Sequence, residues 1–370
     1  MTAEELVASL VAIESVNPEL VPGGAGEAEI AEFVAGWLRD AGLEVALDEA
    51  APGRPSVVAT APGSGGGRSL MLNAHLDTVG VEGMERPFDP VVRDGCLHGR
   101  GAYDMKAGLA ACMLAAARLG SEGLRGDVVV AAVADEEHAS IGVQSVLTRR
   151  RTDAAIVTEP TSLQVCIAHK GFAWAELETH GRAAHGSRSA EGIDAITRMA
   201  PVLTRLAELQ VALEEGPRHE LVGTGSVHAS LIEGGQELSS YPARCLLSLE
   251  RRTVPGETAE DVRSECEALV EGIDGAEARL GLVREPFSVD PDAEVVSAMS
   301  RAAEAVTGEH AVHYGETYWM DAAFIQAAGV PTVVFGPGGE GAHAVEEWVD
   351  LASVDACADG LVLAARELCN

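Results

Sequence analysis

Three consecutive carboxylates at residues 135–137 end an apolar run in this chain, which reads DVVVAAVADEE from Asp127. A run of valine and alanine without polar interruption is typical of a strand that is buried on both faces. Ligands bind beyond the carboxyl ends of such strands, and neighbouring carboxylates repel each other unless a cation or a shared proton relieves them. We therefore predict a strand that ends in a chemical site.

Further histidines and carboxylates fall at the predicted ends of strands or starts of helices. Imidazole and carboxylate groups together are ligands that borderline divalent metals prefer, and a tetrahedral ion needs only four ligands. The set is too large for one such ion, so the sequence favours two metal ions about 3.5–4 Å apart. The members of the set are His75, Asp77, Asp104, Glu136, Glu137, Glu159 and His343.

Five residues of this set are predicted to hold the ions. Asp104, at the start of a predicted helix, would bridge both of them. His75 and Glu159 would complete the site of one ion, and Glu137 and His343 the site of the other. Two ions placed in this way can activate a water molecule held between them and polarise a carbonyl group. The predicted chemistry is metal-assisted hydrolysis.

Asp77 and Glu136 have other predicted roles. Asp77 lies two residues after His75 and points the same way on an extended chain, which suits a partner that fixes the imidazole tautomer. Glu136 is left without a metal, and a carboxylate beside the activated water can take its proton and pass it to the leaving nitrogen. A single histidine or glutamate at a strand end is more often a satisfied polar group, so the prediction rests on the whole set.

The composition limits the classes of function. A formal net charge of −32 over 370 residues argues against nucleic acid and anionic membrane as partners, because both require a basic surface. The seven cysteines are scattered without a CxxC pair, which favours reduced thiols. The first residues, MTAEELVASLVAIES, lack the features of a signal peptide, and no apolar run reaches membrane-spanning length. We expect a cytoplasmic protein.

Predicted strands and helices alternate up to about residue 169 and again from residue 285. This alternation predicts an α/β domain with a mixed, mostly parallel sheet and helices on both faces, formed by residues 1–169 and 285–370. Residues 170–284 follow the β-α-β-β-α-β order of a ferredoxin-like α+β domain inserted into the first. The first helix of the insertion, residues 192–214, has an apolar stripe formed by Ile193, Ile196, Ala200, Leu203 and Ala207.

Seven stretches along nearly the whole chain match one known family in order. They are NAHLDTV (73–79), GRGAYDMKAG (99–108), ADEEHASIG (134–142), TEPT (158–161), GRAAHGS (181–187), ERRTVPGE (250–257) and GPGGEGAH (336–343). The sequence resembles the dinuclear zinc hydrolases that include acetylornithine deacetylase, succinyl-diaminopimelate desuccinylase, aminoacylase and glutamate carboxypeptidase. The resemblance implies two divalent ions, zinc with cobalt or manganese as substitutes, and Glu136 as general base. It also implies a homodimer formed through residues 170–284 as a lid and dimerisation domain.

The resemblance adds residues that would contact substrate. His185 would hydrogen-bond the carbonyl oxygen as negative charge develops on it, and in dimeric members it reaches the site of the other subunit. Arg252 would clamp the carboxylate of the substrate with its planar guanidinium. Without the resemblance, a capping role for His185 and a surface ion pair for Arg252 would be the simpler interpretations. Ser239 and Gly338 are further candidate substrate-binding residues, although Ser239 stands where members commonly carry asparagine.

The leading hypothesis is a metal-dependent amidohydrolase that cleaves an N-acyl amino acid next to a free carboxylate, as a deacetylase or desuccinylase does. The alternative among enzymes is a dipeptidase or carboxypeptidase that acts on short peptides. An alternative of another class is a catalytically silent protein that binds carboxylates at its metal pocket. Glu136 argues against a catalytically silent protein, because a protein that only binds carboxylates does not need a general base.

Overall fold

The computed structural model describes residues 1–370 and contains nine α-helices and seventeen β-strands. The helices are α1 (Ala3–Val11), α2 (Ala28–Asp40), α3 (Ala107–Leu119), α4 (Ile141–Arg149), α5 (Ala195–Glu215), α6 (Ala259–Val270), α7 (Glu294–Thr307), α8 (Ala322–Ala327) and α9 (Leu351–Leu368). The strands are β1 (Glu44–Ala51), β2 (Arg54–Ala61), β3 (Leu70–His75), β4 (Val91–Arg93), β5 (Cys96–His98), β6 (Val128–Val133), β7 (Ala154–Val157), β8 (Val165–His169), β9 (Gly171–His180), β10 (Ser226–Gly234), β11 (Arg244–Thr253), β12 (Ala276–Arg284), β13 (Phe287–Ser288), β14 (His313–Glu316), β15 (Thr332–Val334), β16 (Gly339–Glu340) and β17 (Trp348–Asp350). None of the helices combines the length and the apolar character that crossing a bilayer requires.

The chain folds into two compact units. The first unit consists of Met1–Ile167, Val289–Tyr314 and Met320–Asn370. The second unit consists of Ala168–Ser288 and Gly315–Trp319. Every residue of the predicted metal set belongs to the first unit.

The first unit is built on a mixed, mostly parallel sheet, which confirms the predicted fold class. Its strands follow the order β1-β2-β6-β3-β7-β15-β8. Pairing is parallel from β6 through β15 and antiparallel at both ends of this series. Every residue of β6, which reads VVVAAV, is buried, as expected for a strand covered on both faces. Because the parallel strands point the same way, the carboxyl ends of β3, β6, β7 and β15 meet at one edge.

Two segments that carry predicted site residues are more irregular than the sequence indicates. The strand predicted over Asp127–Glu137 ends at Val133, and Asp135 takes up a left-handed backbone conformation with φ 69°. The helix predicted from Asp104 begins at Ala107, because a single wide helical turn, Ala102–Lys106, comes first. The backbone N–H groups of Asp104 and Glu136 therefore bond to side chains rather than to a regular helix or strand.

The second unit contains the ferredoxin-like order β9-α5-β10-β11-α6-β12. Its four strands pair antiparallel in the order β10-β11-β9-β12. One face of this sheet packs against both helices through a core that includes Leu177, Met199, Leu247 and Val262. Strands β10 and β12 are the two edges of this sheet.

Helix α5 has two apolar rows that face in different directions. The row in the core consists of Ala195, Met199, Val202 and Leu206. The stripe predicted from the sequence is at the surface, where Ile196 is 45% exposed and Leu203 is 38% exposed. The helical period in the sequence is therefore present, but it does not reveal which of the two rows faces the core.

A small four-stranded sheet in the first unit, β16-β17-β5-β4, joins two segments that are distant in sequence. β17 pairs with β5, so that Trp348 lies opposite His98. This pairing places the segment that leads to Asp104 beside the segment that follows His343.

Candidate metal centre

The carboxyl edge of the large sheet brings the predicted metal ligands together. His75 is the last residue of β3, and Glu159 lies two residues after β7. Asp104 lies in the wide turn before α3, and His343 lies in the loop between β16 and β17. Ligand atoms of His75, Asp104 and Glu137 lie within 4.8 Å of one another. The structure thus gathers residues that are up to 268 positions apart in the chain.

Asp104 stands between the two histidines. Its Oδ1 is 3.1 Å from His75 Nε2, and its Oδ2 is 3.4 Å from His343 Nε2. His343 Nε2 also lies 3.1 Å from Glu137 Oε2, and His75 Nε2 lies 3.7 Å from Glu159 Oε1. The two oxygens of one carboxylate thus face two separate histidine and glutamate pairs. This arrangement fits a ligand that bridges two ions.

Burial makes ionisation of the carboxyl groups at this edge unfavourable. It raises the pKa values of Glu136, Glu137 and Glu159, and the carboxylates around them add to the increase. Asp321, also buried, contributes to that increase at Glu136 and Glu159, a role that the sequence did not reveal. Glu137 Oε1 is buried without a hydrogen-bond donor. Repelling carboxylates and a buried oxygen that lacks a donor fit a site for divalent cations.

The carboxylates around the two imidazoles favour the charged form of these histidines. Burial alone would lower the pKa of His75, but its hydrogen bond to Asp104 and the nearby carboxylates raise it well above the usual value. Hydrogen bonds to Asp104 and Glu137 raise the pKa of His343 to about 10. Burial would raise the pKa of Asp104, but the contacts with His343 and His75 hold it below its usual value. Because a histidine ligand must be neutral, metal binding here would release protons.

Asp77 orders the turn that carries Glu136 and Glu137. Its Oδ1 accepts a hydrogen bond from Glu136 N–H at 3.1 Å, and its Oδ2 accepts one from Glu137 N–H at 3.2 Å. The predicted contact with His75 runs through the backbone instead: His75 Nδ1 is 2.9 Å from the Asp77 carbonyl oxygen and 3.7 Å from its carboxylate. A carbonyl at that distance favours the tautomer protonated on Nδ1, which leaves Nε2 directed to Asp104.

A buried charge network behind Asp77 has no counterpart in the sequence-based predictions. Asn17 Nδ2 donates hydrogen bonds to Asp77 Oδ2 at 2.7 Å and to Asp135 Oδ1 at 2.9 Å. Arg54 Nη2 donates to the same oxygen of Asp135 at 2.9 Å, and its guanidinium forms a two-point pair with Glu27. Asp135 thus anchors the segment after β6.

We expect Arg54→Met to reduce the free energy of unfolding by about 3–5 kcal/mol, because Glu27 and Asp135 would stay buried without their counter-charge. The matched control is Arg366→Met, which breaks an exposed two-point pair with Glu122 and should cost less than about 1 kcal/mol. Urea unfolding followed by circular dichroism measures both losses. Equal losses in the two variants would show that the network contributes no more than a surface pair.

Arg252, the predicted carboxylate clamp, lies in the second unit. Its Nε donates a hydrogen bond to Glu250 Oε1 at 2.7 Å, and its guanidinium lies over the Phe172 ring at 5.2 Å from the ring centre. The pair with Glu250 engages Nε, which leaves the terminal nitrogens for other acceptors. The contact of Arg252 with substrate remains a prediction.

The structure brings His185 and Ser239 together within the second unit. Gly186 N–H donates a hydrogen bond to the Ser239 carbonyl oxygen at 2.7 Å, beside a bridge between His185 and Ser240. The exposed imidazole of His185 has its Nδ1 2.8 Å from Ser187 Oγ. Their substrate contacts also remain predictions.

Close packing requires a glycine at position 336 but not at position 338. A Cβ atom on Gly336 would lie 2.2 Å from the carbonyl oxygen of Glu159, whereas one on Gly338 would meet Ser162 at an ordinary 3.6 Å. Gly336 therefore lets the chain after β15 approach the backbone that carries Glu159. Gly338 N–H donates to Ser353 Oγ at 2.8 Å, and its contact with substrate remains a prediction.

Comparison with known proteins gives matches over most of the chain. The profile of Peptidase family M20/M25/M40 matches residues 71–367. Acetylornithine deacetylase from Myxococcus xanthus is 31% identical over 395 residues, which cover 100% of this chain and 97% of that protein.

Solved structures share the fold. An aminopeptidase from Bacillus cereus superposes with a TM-score of 0.81 at 20% identity, covering 100% of this chain and 98% of its own. A dinuclear metal binding peptidase of the M20 family from Bacillus subtilis gives a TM-score of 0.75 at 19% identity, covering 99% of this chain and 97% of its own. At these identities the likeness concerns the fold.

Proposed function

Because the chain belongs to Peptidase family M20/M25/M40 and is a hydrolase of amide or peptide bonds, we propose that it cleaves an N-acyl amino acid next to a free carboxylate. The observation that carries this proposal is the position of the Asp104 carboxylate between His75 and His343. Full-length similarity to a protein named acetylornithine deacetylase supports an acyl group as the part removed.

Two divalent cations fit the residues of the first unit, and we propose zinc, with cobalt or manganese as substitutes. Asp104 would hold both ions, His75 and Glu159 one of them, and Glu137 and His343 the other. The mixed imidazole and carboxylate set suits zinc, and the name of the Bacillus subtilis structure supports a pair of ions. When bound, the ions supply positive charge that makes water more acidic and polarises a carbonyl group.

Glu136 is the residue that we assign to proton transfer. Asp77 fixes its backbone N–H, and burial together with neighbouring carboxylates raises its pKa. A raised pKa brings a carboxylate closer to neutral pH, where a base must both accept and return a proton. Glu136 would take a proton from the attacking water and deliver it to the leaving nitrogen.

Arg252 and His185 would orient the substrate. The guanidinium of Arg252, stacked on Phe172 and paired with Glu250 through Nε, would bind the substrate carboxylate with its terminal nitrogens. His185 would donate a hydrogen bond to the oxygen on which negative charge develops, in a dimer from the other subunit. Ser239 and Gly338 would contact the same substrate.

Hydrolysis of short peptides is the second candidate, and the aminopeptidase name of the Bacillus cereus structure supports it. A screen of N-acetyl, N-succinyl and N-formyl amino acids against dipeptides, with added zinc or cobalt, separates the two. We expect N-acyl amino acids to give the higher kcat/KM, and their methyl esters to be poor substrates because they lack the free carboxylate. If a metal-loaded chain hydrolysed none of these compounds, a silent carboxylate-binding protein would be the better description.

We also propose that the second unit pairs with a second copy of itself. Edge strand β10 is exposed from His228 to Gly234, and the exposed apolar row of α5 that includes Ile196 and Leu203 lies on the helix packed beside it. An open strand edge next to an apolar row favours association. A two-fold axis would bring β10 against β10 of the other copy and cover both rows.

Leu203→Glu should convert the dimer to a monomer, because it would place a charge in the covered row. Leu363→Glu is the matched control, since Leu363 in α9 of the first unit is 37% exposed against 38% for Leu203. Light scattering coupled to size exclusion gives the mass of each variant. An identical mass for Leu203→Glu, Leu363→Glu and the unchanged chain would contradict this surface as the dimer interface.

A further inference from the structure

The carboxylate of Glu347 receives four hydrogen bonds from the segment that carries Asp104. Tyr103 N–H and Asp104 N–H donate to Oε1 at 2.9 and 3.0 Å. Gly101 N–H and Arg100 Nη1 donate to Oε2 at 3.0 and 2.6 Å. Glu347 is 1% exposed, so water does not compete for these donors.

The segment before α3 needs an acceptor of this kind. The N–H groups of residues 101, 103 and 104 belong to no strand and precede the first regular turn of α3. Helix starts and irregular loops leave such donors without backbone partners, and converging N–H groups form a binding site for an anion. An ionised carboxylate offers about four acceptor positions and forms shorter, stronger hydrogen bonds than a neutral group. The anion at this helix start is a side chain of the protein itself.

Glu347 also connects this segment to the second histidine. It lies four residues after His343 and immediately before β17. Gly99 N–H donates to the Glu347 carbonyl oxygen at 3.2 Å, and Arg100 Nη2 donates to the Ala344 carbonyl oxygen at 3.0 Å. The loop with Asp104 and the loop with His343 are therefore tied to each other at several points.

We propose that Glu347 is a positioning residue of the metal centre: it fixes the backbone at Asp104 so that the Asp104 carboxylate faces His75 and His343 before an ion binds. Both carboxylate oxygens of Glu347 are engaged by N–H donors, so its role is distinct from that of a ligand. This inference rests on the proposed metal centre, and it is independent of the substrate.

The test replaces one carboxylate oxygen of Glu347 with an NH₂ group and leaves the size of the side chain nearly unchanged. In Glu347→Gln an NH₂ group would face N–H donors, so the loop should move away. Glu346→Gln is the matched control, because it removes the same charge at the neighbouring exposed position. Zinc affinity of the metal-stripped chain, measured by competition with a coloured chelator, should fall about 10- to 100-fold in Glu347→Gln and remain unchanged in Glu346→Gln.

The visible absorption of bound cobalt provides a second readout. It reports the geometry around the ion, which a general loss of stability would not alter, and we expect it to change in Glu347→Gln alone. Equal zinc affinities and equal cobalt spectra for the two folded variants would overturn the proposal.

Amide exchange on the unchanged chain decides the question if Glu347→Gln does not fold. The amides of Gly101, Tyr103 and Asp104 should be protected in the metal-free chain as well as after zinc is added. Exchange of these amides at open-loop rates without metal would overturn the proposal. A chain that binds zinc with the expected differences but hydrolyses none of the screened compounds would refute the proposed function and still support this role of Glu347.

Discussion

Glu136→Gln should bind zinc almost as well as the unchanged chain while its turnover falls by about 10²- to 10⁴-fold. The amide retains the shape of the side chain but cannot accept a proton from water. The backbone N–H of residue 136, which the substitution leaves in place, donates the hydrogen bond to Asp77 Oδ1, so the turn should keep its conformation. Hydrolysis at saturating substrate gives kcat, and elemental analysis of the same sample gives the zinc content.

Glu137→Gln is the matched comparison, with the same substitution one residue later. Because Glu137 Oε2 lies 3.1 Å from His343 Nε2, we expect this variant to lose zinc affinity first and activity as a consequence. Turnover retained in Glu136→Gln would disprove its role in proton transfer. An equal loss of zinc from both variants would show that Glu136 is a ligand instead.

Asp104→Ala should remove both ions together. One carboxylate faces both histidines, so its loss deprives each half of the site of an oxygen ligand and leaves His75 and His343 without their shared partner. We expect the zinc content after dialysis to fall from about two ions per chain to nearly none, with hydrolysis lost in parallel. Asp40→Ala, at the exposed end of α2, is the control and should retain both ions.

A partial loss of zinc would argue against the bridging role of Asp104. If Asp104→Ala retained one tightly bound ion, Asp104 would serve a single site, and the bridging arrangement would be wrong. The fold must be intact for this comparison, and circular dichroism of each variant establishes that.

The ends of the strands could be predicted from the sequence because the residues that mark them are neighbours in the chain. The apolar runs of β3, β6 and β7 are directly followed by polar residues, and parallel pairing makes those ends converge. The order of elements likewise predicted both the mixed sheet of the first unit and the ferredoxin-like order of the second. Each of these inferences depends on a pattern a few residues long.

The partners of these residues could not be predicted, because their contacts join distant parts of the chain. Arg54 and Asp135 are 81 residues apart, and Glu347 and Asp104 are 243 apart. Nothing near Glu347 distinguishes it from the exposed Glu346 beside it. The one sequence feature that could have indicated a buried role for Arg54 is its position, as a cation at the start of the apolar stretch RPSVVATA.

The apolar stripe of α5 illustrates a different limit. Ile196 and Leu203 recur at helical spacing, and so do Met199 and Leu206 in the row that packs on the sheet. Periodicity identifies the helix but does not separate an intramolecular core from a surface that a second copy would cover.

Zinc titration of the metal-stripped chain, followed by both bound metal and hydrolysis of an N-acyl amino acid, tests the central claim most directly. We expect hydrolysis to be absent without metal and to rise until about two ions are bound per chain. Hydrolysis that persists after complete removal of metal, or metal that binds elsewhere and remains after Asp104→Ala, would contradict a dinuclear centre built on His75, Asp104 and His343.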